Sequence, residues 1–282
     1  MSKIAIVTDS TADIPKDLIE KFKIKVVPLY LNFEDRSYLE DGIDITSKQF
    51  YEKLKVVKKQ PTTSQPTPQD FIKVYNELLE ENDTIISIHI SQKMSGTFSS
   101  AEIARKELAG KDIEVIDTGL VHMPLGVLVL KAAELVLDGK SKEEILKTIN
   151  DLKQKITILF IPNTLKYLIM NGRIGRAKGL IASVLEIRPI LTIHMGEVSQ
   201  FKTTRRFSQA KNELINSMKS VVKDTSKLMV IVSDSDAKEE GDEMSQRIKE
   251  TFNPKQIMRA TIGAVVGNNI GPGGIAVTFY EE

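Results

Sequence analysis

The sequence predicts an α/β protein of two domains, an N-terminal parallel sheet flanked by helices and a C-terminal α+β domain on a mixed or antiparallel sheet. Three observations predict it. Strand-like and helix-like stretches alternate through the first half, the pattern of parallel strands joined by helical crossovers. Strand-like stretches dominate the second half, and the pair flanking Met195-Gly196-Glu197 reads as a hairpin. The length of 282 residues suits one large or two medium domains, and the change of pattern puts the boundary near residue 155, giving domains 1–155 and 156–282.

The first strand is the β-rich run Ile4-Ala5-Ile6-Val7, ended by Thr8-Asp9-Ser10-Thr11. Pro15 opens a short helix over 15–22, because its fixed φ and missing N–H suit a helix start. Residues 25–31 read as a strand. Pro28 lies inside it and cannot donate to a ladder, so an edge position or an irregularity is expected. Residues 32–45 are acidic and turn-like, and Phe50, Leu54 and Val57 fall at helical spacing within 46–58. Pro61-Thr62-Thr63-Ser64-Gln65-Pro66-Thr67-Pro68 is rich in breakers and reads as a loop. Within it Thr67 is an N-cap and Pro68 the first residue of a helix carrying Phe71, Tyr75 and Leu78.

A core strand over 84–90 leads through hydroxyl-rich residues 91–100 into a helix with Ile103, Ala104 and Leu108. A further strand spans 113–116, and a long apolar helix covers 119–138 and stops at Gly139. Ser141-Lys142-Glu143-Glu144 has capping-box spacing and starts the next helix. Beyond it, strands are expected at 157–161, 188–194, 198–203, 227–232, 256–262 and 275–280, with helices at about 207–223 and 237–250. Residues 163–175 read as a helix ended by Gly172, and 267–274 as a tight turn.

Composition removes several function classes. Lys and Arg number 39 against 38 Asp and Glu, so the basic excess of a nucleic-acid binder is missing. The absence of cysteine excludes disulfides, thiolate metal sites, iron–sulfur clusters and a cysteine nucleophile. The N-terminal apolar run is too short for a secretory signal, and Lys131 and Glu134 break the most apolar stretch, 123–137. A cytoplasmic protein with no membrane span is expected.

Motifs for metals and nucleotides fail. His89, His122 and His194 have no ligand spacing, and each reads as a core or surface histidine. Asp234-Ser235-Asp236 starts like a calcium loop, but Lys238 and Glu239 stand where a ligand and the glycine belong. No GxxxxGK[ST] occurs, and Gly271-Pro272-Gly273-Gly274-Ile275-Ala276 is followed by too few residues for a phosphate-binding helix. Two SxxK matches, at Ser208 and Ser220, show how common that pattern is, and no GxSxG elbow exists. No metal or cofactor is expected.

Hydroxyls, by contrast, gather where the first-half strands end: Thr8, Ser10 and Thr11, then Ser91, Ser95 and Thr97, then Asp117 and Thr118. In an open parallel sheet these loops share the carboxyl edge, where ligands bind. Thr62, Thr63 and Ser64 add more. All these residues also favour turns, so turn chemistry alone is the competing explanation. Ser95-Gly96-Thr97 sets a glycine between two hydroxyls just before a helix, where backbone N–H groups favour an anionic oxygen. Neither segment contains a lysine or arginine, so a single carboxyl suits them better than a triphosphate. Lys202, Arg205, Arg206 and Lys211 form a local basic cluster that reads as a solvated face.

Five segments together resemble the DegV family of fatty-acid-binding proteins over essentially the whole chain. They are Val7 through Pro15, Pro61-Thr62-Thr63-Ser64-Gln65-Pro66, Ser91 through Phe98, Leu165 through Ile174, and Gly267 through Gly273. The resemblance implies a long-chain fatty acid, palmitate-like, buried between two α/β domains. Thr63 and Ser95 would hold the carboxylate, with Asn269 beside them and Ser64, Gly96, Thr97 and Arg173 in support. Some members present the acid to a separate fatty acid kinase, so the resemblance implies such a kinase as a partner and a lipid-carrier role for the chain. Two departures stand out. The family usually has Thr-His-Thr before Gly-Pro-Gly, where this chain has Asn268, Asn269 and Ile270; Asn269 can donate a hydrogen bond but carries no titrating charge. Ser91-Gln92-Lys93-Met94 replaces a common Ser-Ser-Gly-Leu. Two other readings stay open: an enzyme acting on acyl groups with Ser95 as nucleophile, and a DNA-binding regulator, which the balanced charge disfavours.

Overall fold

The computed structural model describes residues 3–183 and 187–282. β1 (Ile4–Asp9) is followed by a 3₁₀ turn and by α1 (Lys16–Lys21), which starts directly after Pro15. The strand expected over 25–31 is divided at Pro28. β2 (Lys25–Val27) pairs in parallel with β1, while β3 (Tyr30–Asn32) leaves for a separate small sheet. That small sheet is antiparallel, and no sequence pattern marks it. It takes β4 (Ser37–Leu39) from the stretch expected to be turn-like, and β5 (Thr62–Ser64) from the expected loop. Three-residue strands are too short to display a period of two, and their acidic and hydroxyl residues read as turns. Between them lies α2 (Ser47–Leu54), opened by a capping box of Thr46 and Gln49.

α3 (Pro68–Leu79) begins on a capping box of Thr67 and Asp70 with Pro68 in its first turn, as expected. β6 (Thr84–His89), α4 (Thr97–Glu107), β7 (Asp112–Asp117), α5 (Met123–Leu137) and α6 (Lys142–Lys153) follow. α5 starts four residues later than its apolar pattern suggests, because Gly119 and His122 both have positive φ, at 63° and 60°. The strand order is β2-β1-β6-β7, all parallel. Alternate residues serve opposite faces. Ile6, Ile86 and Ile88 pack against Leu125, Leu128 and Ile145, whereas Val7, Ile85 and Ile113 pack against Phe71, Tyr75 and Ala101.

The second half continues with β8 (Thr157–Ile161), α7 (Lys166–Met170) and a 3₁₀ run over Gly175–Ser183. The hairpin β9 (Arg188–His194) and β10 (Glu197–Thr204) forms as expected, turning through Met195 and Gly196 at positive φ. Then come α8 (Phe207–Val221), β11 (Leu228–Ser235), α9 (Lys238–Phe252), β12 (Gln256–Thr261), α10 (Ala264–Ile270) and β13 (Gly274–Glu281). α10 corrects the tight turn expected over 267–274. Gly267, Asn268 and Asn269 are poor helix formers, so propensity hid it, and tertiary packing supplies it. The sheet runs β10-β9-β8-β13-β11-β12, with β11 and β12 parallel and the other pairs antiparallel. Its two faces differ. Leu159, Ile161, Val230 and Val277 pack with Leu214, Met218, Met244 and Ile248 of α8 and α9. Ile158, Phe160 and Ala276 point to the other side, where only short helical pieces and the first half of the chain meet them. No described helix is long and apolar enough to cross a membrane.

α5 lies tightly on the turn after β1. A Cβ on Gly126 would come within 2.7 Å of the Ala12 carbonyl oxygen. Gly126→Ala is therefore expected to destabilise the protein by about 1–3 kcal/mol, against the helix preference of alanine. A thermal melt that is unchanged or raised would contradict this packing.

Candidate ligand-binding site

A cavity of about 380 Å³ lies between the carboxyl edge of the parallel sheet and the less covered face of the six-stranded sheet. This volume falls in the range of small-molecule pockets. In the parallel sheet, strand order reverses between β1 and β6, and the residues after those two strands, Thr11 and Ile90, line the cavity. That is the crevice where open α/β sheets receive ligands. The opposite wall is apolar: Ile158 and Phe160 from β8, Ile193 from β9, Val198 from β10 and Ala276 from β13.

Polar groups gather at one part of the lining. β5 supplies Thr63 and Ser64; Thr63 pairs with Leu31 in the small sheet and is half-buried. Ser64 is exposed, and its hydroxyl accepts from Asn32 Nδ2 at 2.7 Å. Ser95 and Gly96 approach from the loop before α4, with Gly96 as the N-cap. Ser95 Oγ and Thr97 Oγ1 are 2.8 Å apart, and Ser95 Oγ also accepts from the Thr97 N–H. Thr97 is buried outside the lining, so it holds Ser95 rather than facing the cavity. His89 and His122 bond elsewhere and not to Ser95, whose hydroxyl meets Thr97.

Asn269 and Arg173 come from the second half. Asn269 lies on α10 and lines the cavity; its Nδ2 donates back to Val265 O at 2.8 Å, and its Oδ1 is buried without a partner. One of the two amide N–H groups expected to serve a ligand is thus spent inside the helix. The exposed Arg173 also lines the cavity, so the cavity meets solvent beside it. Its guanidinium donates to Asn171 O at 2.6 Å and reaches Met94 O at 3.4 Å, tying the second half to the Ser95 loop. Asn268 fastens α10 further: it donates to Pro61 O and accepts from Gln60 Nε2.

Sequence reasoning missed two contributors. Gln65 lines the cavity and leans over Gly96, where any Cβ would fall within 2.0 Å of its Oε1. Proximity across two loops leaves no local signal. The sequence presents all three histidines as core or surface residues, and the structure divides them. His89 is a satisfied core residue, between Asp9 Oδ2 at 2.9 Å and Ser87 Oγ at 2.7 Å. His194 is exposed. His122 is 2% exposed, lines the cavity, and contacts Asp13 Oδ2 through Nδ1 at 2.5 Å while Nε2 has no partner.

Comparison with known proteins places these features in a family. Residues 3–282 match the family described as "Uncharacterised protein, DegV family". A DegV domain-containing protein of Caldanaerobacter subterraneus subsp. tengcongensis is 37% identical, covering 100% of both chains. Among solved structures, a DegV family protein from Thermus thermophilus, described for its fatty acid binding, superposes with a TM-score of 0.94 at 33% identity, covering 100% of both chains. DegV of Bacillus subtilis, described as a fatty acid binding protein, gives 0.92 at 31% identity, again covering 100% of both.

Carboxyls behind the cavity give it a pH signature. Glu40 Oε1 accepts from the Val265 N–H at 2.6 Å at the start of α10. Burial, with the charge of Asp13 adding to it, raises Glu40 from its ordinary 4.5 to about 8. Asp13 is raised as well, chiefly by burial, against the bond from His122. The folded chain thus keeps a proton on Glu40 that the unfolded chain releases. Its contribution is complete below the unfolded value and is lost as pH rises through about 8. Glu40→Gln fixes the neutral form and is expected to raise the melting temperature, relative to the parent, above that pH and little near 4.5. An equal difference at both would contradict the buried neutral carboxyl.

Proposed function

The chain belongs to the DegV family, and we propose that it is a non-catalytic carrier binding a long-chain fatty acid in the cavity between its two large sheets. The carboxyl lies at Thr63 and Ser95, beside Asn269 and the start of α4, and the acyl chain follows the apolar wall. Relatives from Thermus thermophilus and Bacillus subtilis described as fatty acid binding support this reading. The observation that carries it is one cavity lined at once by Thr63, Ser95 and Asn269 and by the apolar face of β8 and β13. Apolar burial supplies most of the affinity: about 14 methylenes at about 0.8 kcal/mol bring on the order of 11 kcal/mol before association costs. The hydroxyls fix direction, because a buried carboxyl without partners is heavily penalised. Gly96 and Thr97 support the head through the first turn of α4, whose N–H groups favour negative charge. Ser64 and Arg173 frame the rim.

The sequence carries no phosphate-binding loop, so phosphorylation of the bound acid would need a separate fatty acid kinase, and Asn269 in place of the family's usual histidine leaves that step without a titrating group at the head. An acyl hydrolase using Ser95 is disfavoured, since that serine is bonded to Thr97 rather than to a base.

Ser95→Ala and Thr63→Ala are each expected to weaken fatty acid binding about fivefold to tenfold with the melting temperature nearly unchanged, one hydrogen bond being worth about 1 kcal/mol. Calorimetric titration of delipidated protein with palmitate reads this. Parent affinity retained in both variants would move the head group elsewhere.

A further inference from the structure

Gly96 stands where the backbone does not ask for a glycine. Its φ and ψ are −74° and 4°, open to any residue. Space explains it instead. A Cβ there would fall 2.0 Å from Gln65 Oε1 and 2.6 Å from Gln65 Nε2, so the amide of Gln65 fills the room that the missing side chain leaves. From that place Gln65 Nε2 donates to Ser100 Oγ at 3.2 Å, in the first turn of α4. Among the described residues, no other hydrogen bond joins the 61–66 segment to residues 91–100.

Both ends of this contact adjoin the hydroxyls assigned to the head group. Gln65 is two residues beyond Thr63, Gly96 is next to Ser95, and all four line the cavity. Each hydroxyl is fixed within its own element: Thr63 by its pairing with Leu31, and Ser95 by its bonds to Thr97 and from its N–H to Ser91 O. Further on, Phe71 of α3 packs with Ala101 and Ala104 of α4, whereas at the head the Gln65 amide is the bridge. Hydrogen bonds weaken steeply as distance and angle depart from their optimum, so one carboxyl group can accept from both hydroxyls only over a narrow range of spacing. Resting on the fatty acid reading above, we infer that Gln65 is a positioning residue: its amide, seated in the space left by Gly96 and bonded to Ser100, sets the separation of Thr63 and Ser95 at which both reach one carboxyl group. The glycine and the glutamine then form one device, each of use only with the other present.

The test is a pair of double-mutant cycles read by calorimetric titration of delipidated protein with palmitate. Gln65→Ala should weaken binding about fivefold, the scale of one hydrogen bond, with the melting temperature nearly unchanged because the side chain is exposed. Gly96→Ala should cost about as much in the parent, since its Cβ evicts the amide, and less than about twofold in the Gln65→Ala background, where that space is empty. In the Thr63→Ala background, Gln65→Ala should add less than about twofold, since no pair of hydroxyls is left to space; a role in general stability would cost the same there as in the parent. If the parent binds palmitate while Gln65→Ala keeps parent affinity, or its loss persists in full beside Thr63→Ala, the inference is overturned and the fatty acid reading stands. If the parent takes up no palmitate, both fall.

Discussion

The six-stranded sheet has two apolar faces; a pair of long helices covers one, and α5 reaches the other at Ile231 and Ala260. α8 and α9 cover the first face. The second presents Ile158, Phe160 and Ala276 to the carboxyl edge of another sheet, and that edge is made of loops rich in hydroxyls and carboxyls. Loops of this kind cannot interdigitate with an apolar sheet face as a helix does, because their polar atoms need partners. The result is a hollow, greasy on one side and polar on the other. An amphiphile is the ligand class that matches both walls at once.

Several contacts keep the hollow from closing. Ser91 Oγ donates to Gly196 O at the tip of the β9–β10 hairpin, Tyr51 OH donates to Ile262 O, and Glu40 accepts from Val265 at the start of α10. These bonds span the two halves of the chain, so the width of the gap is set by polar contacts at its ends. α10 receives one of them, at Val265, and ties the halves further. It carries Asn269, anchors Asn268 to the 60–61 segment, and starts beside the buried Asp13 and Glu40.

Much of this was legible in the residues, for identifiable reasons. The parallel sheet announced itself through apolar runs alternating with helical stripes, and the caps at Thr67 and Ser141 fixed two helix starts. Pro28 marked a break, although not that the chain would change sheets there. The elements that escaped were those built by tertiary contact: β4 and β5, too short to show a period, and α10, whose Gly-Asn-Asn composition resists a helix in isolation. The site followed the same rule. Ser95, Gly96 and Thr97 were conspicuous because their neighbours in sequence are also their neighbours in space. Gln65 over Gly96, and Asp13 on His122, join residues far apart in the chain.

The central claim is that the hollow exists to hold a lipid acid, and the most direct measurement is organic extraction of the protein as purified from its host, followed by mass spectrometry. The account requires a long-chain fatty acid in near-stoichiometric amount, released on denaturation. A protein that yields no lipid, and that takes none up when incubated with fatty acids, would contradict it.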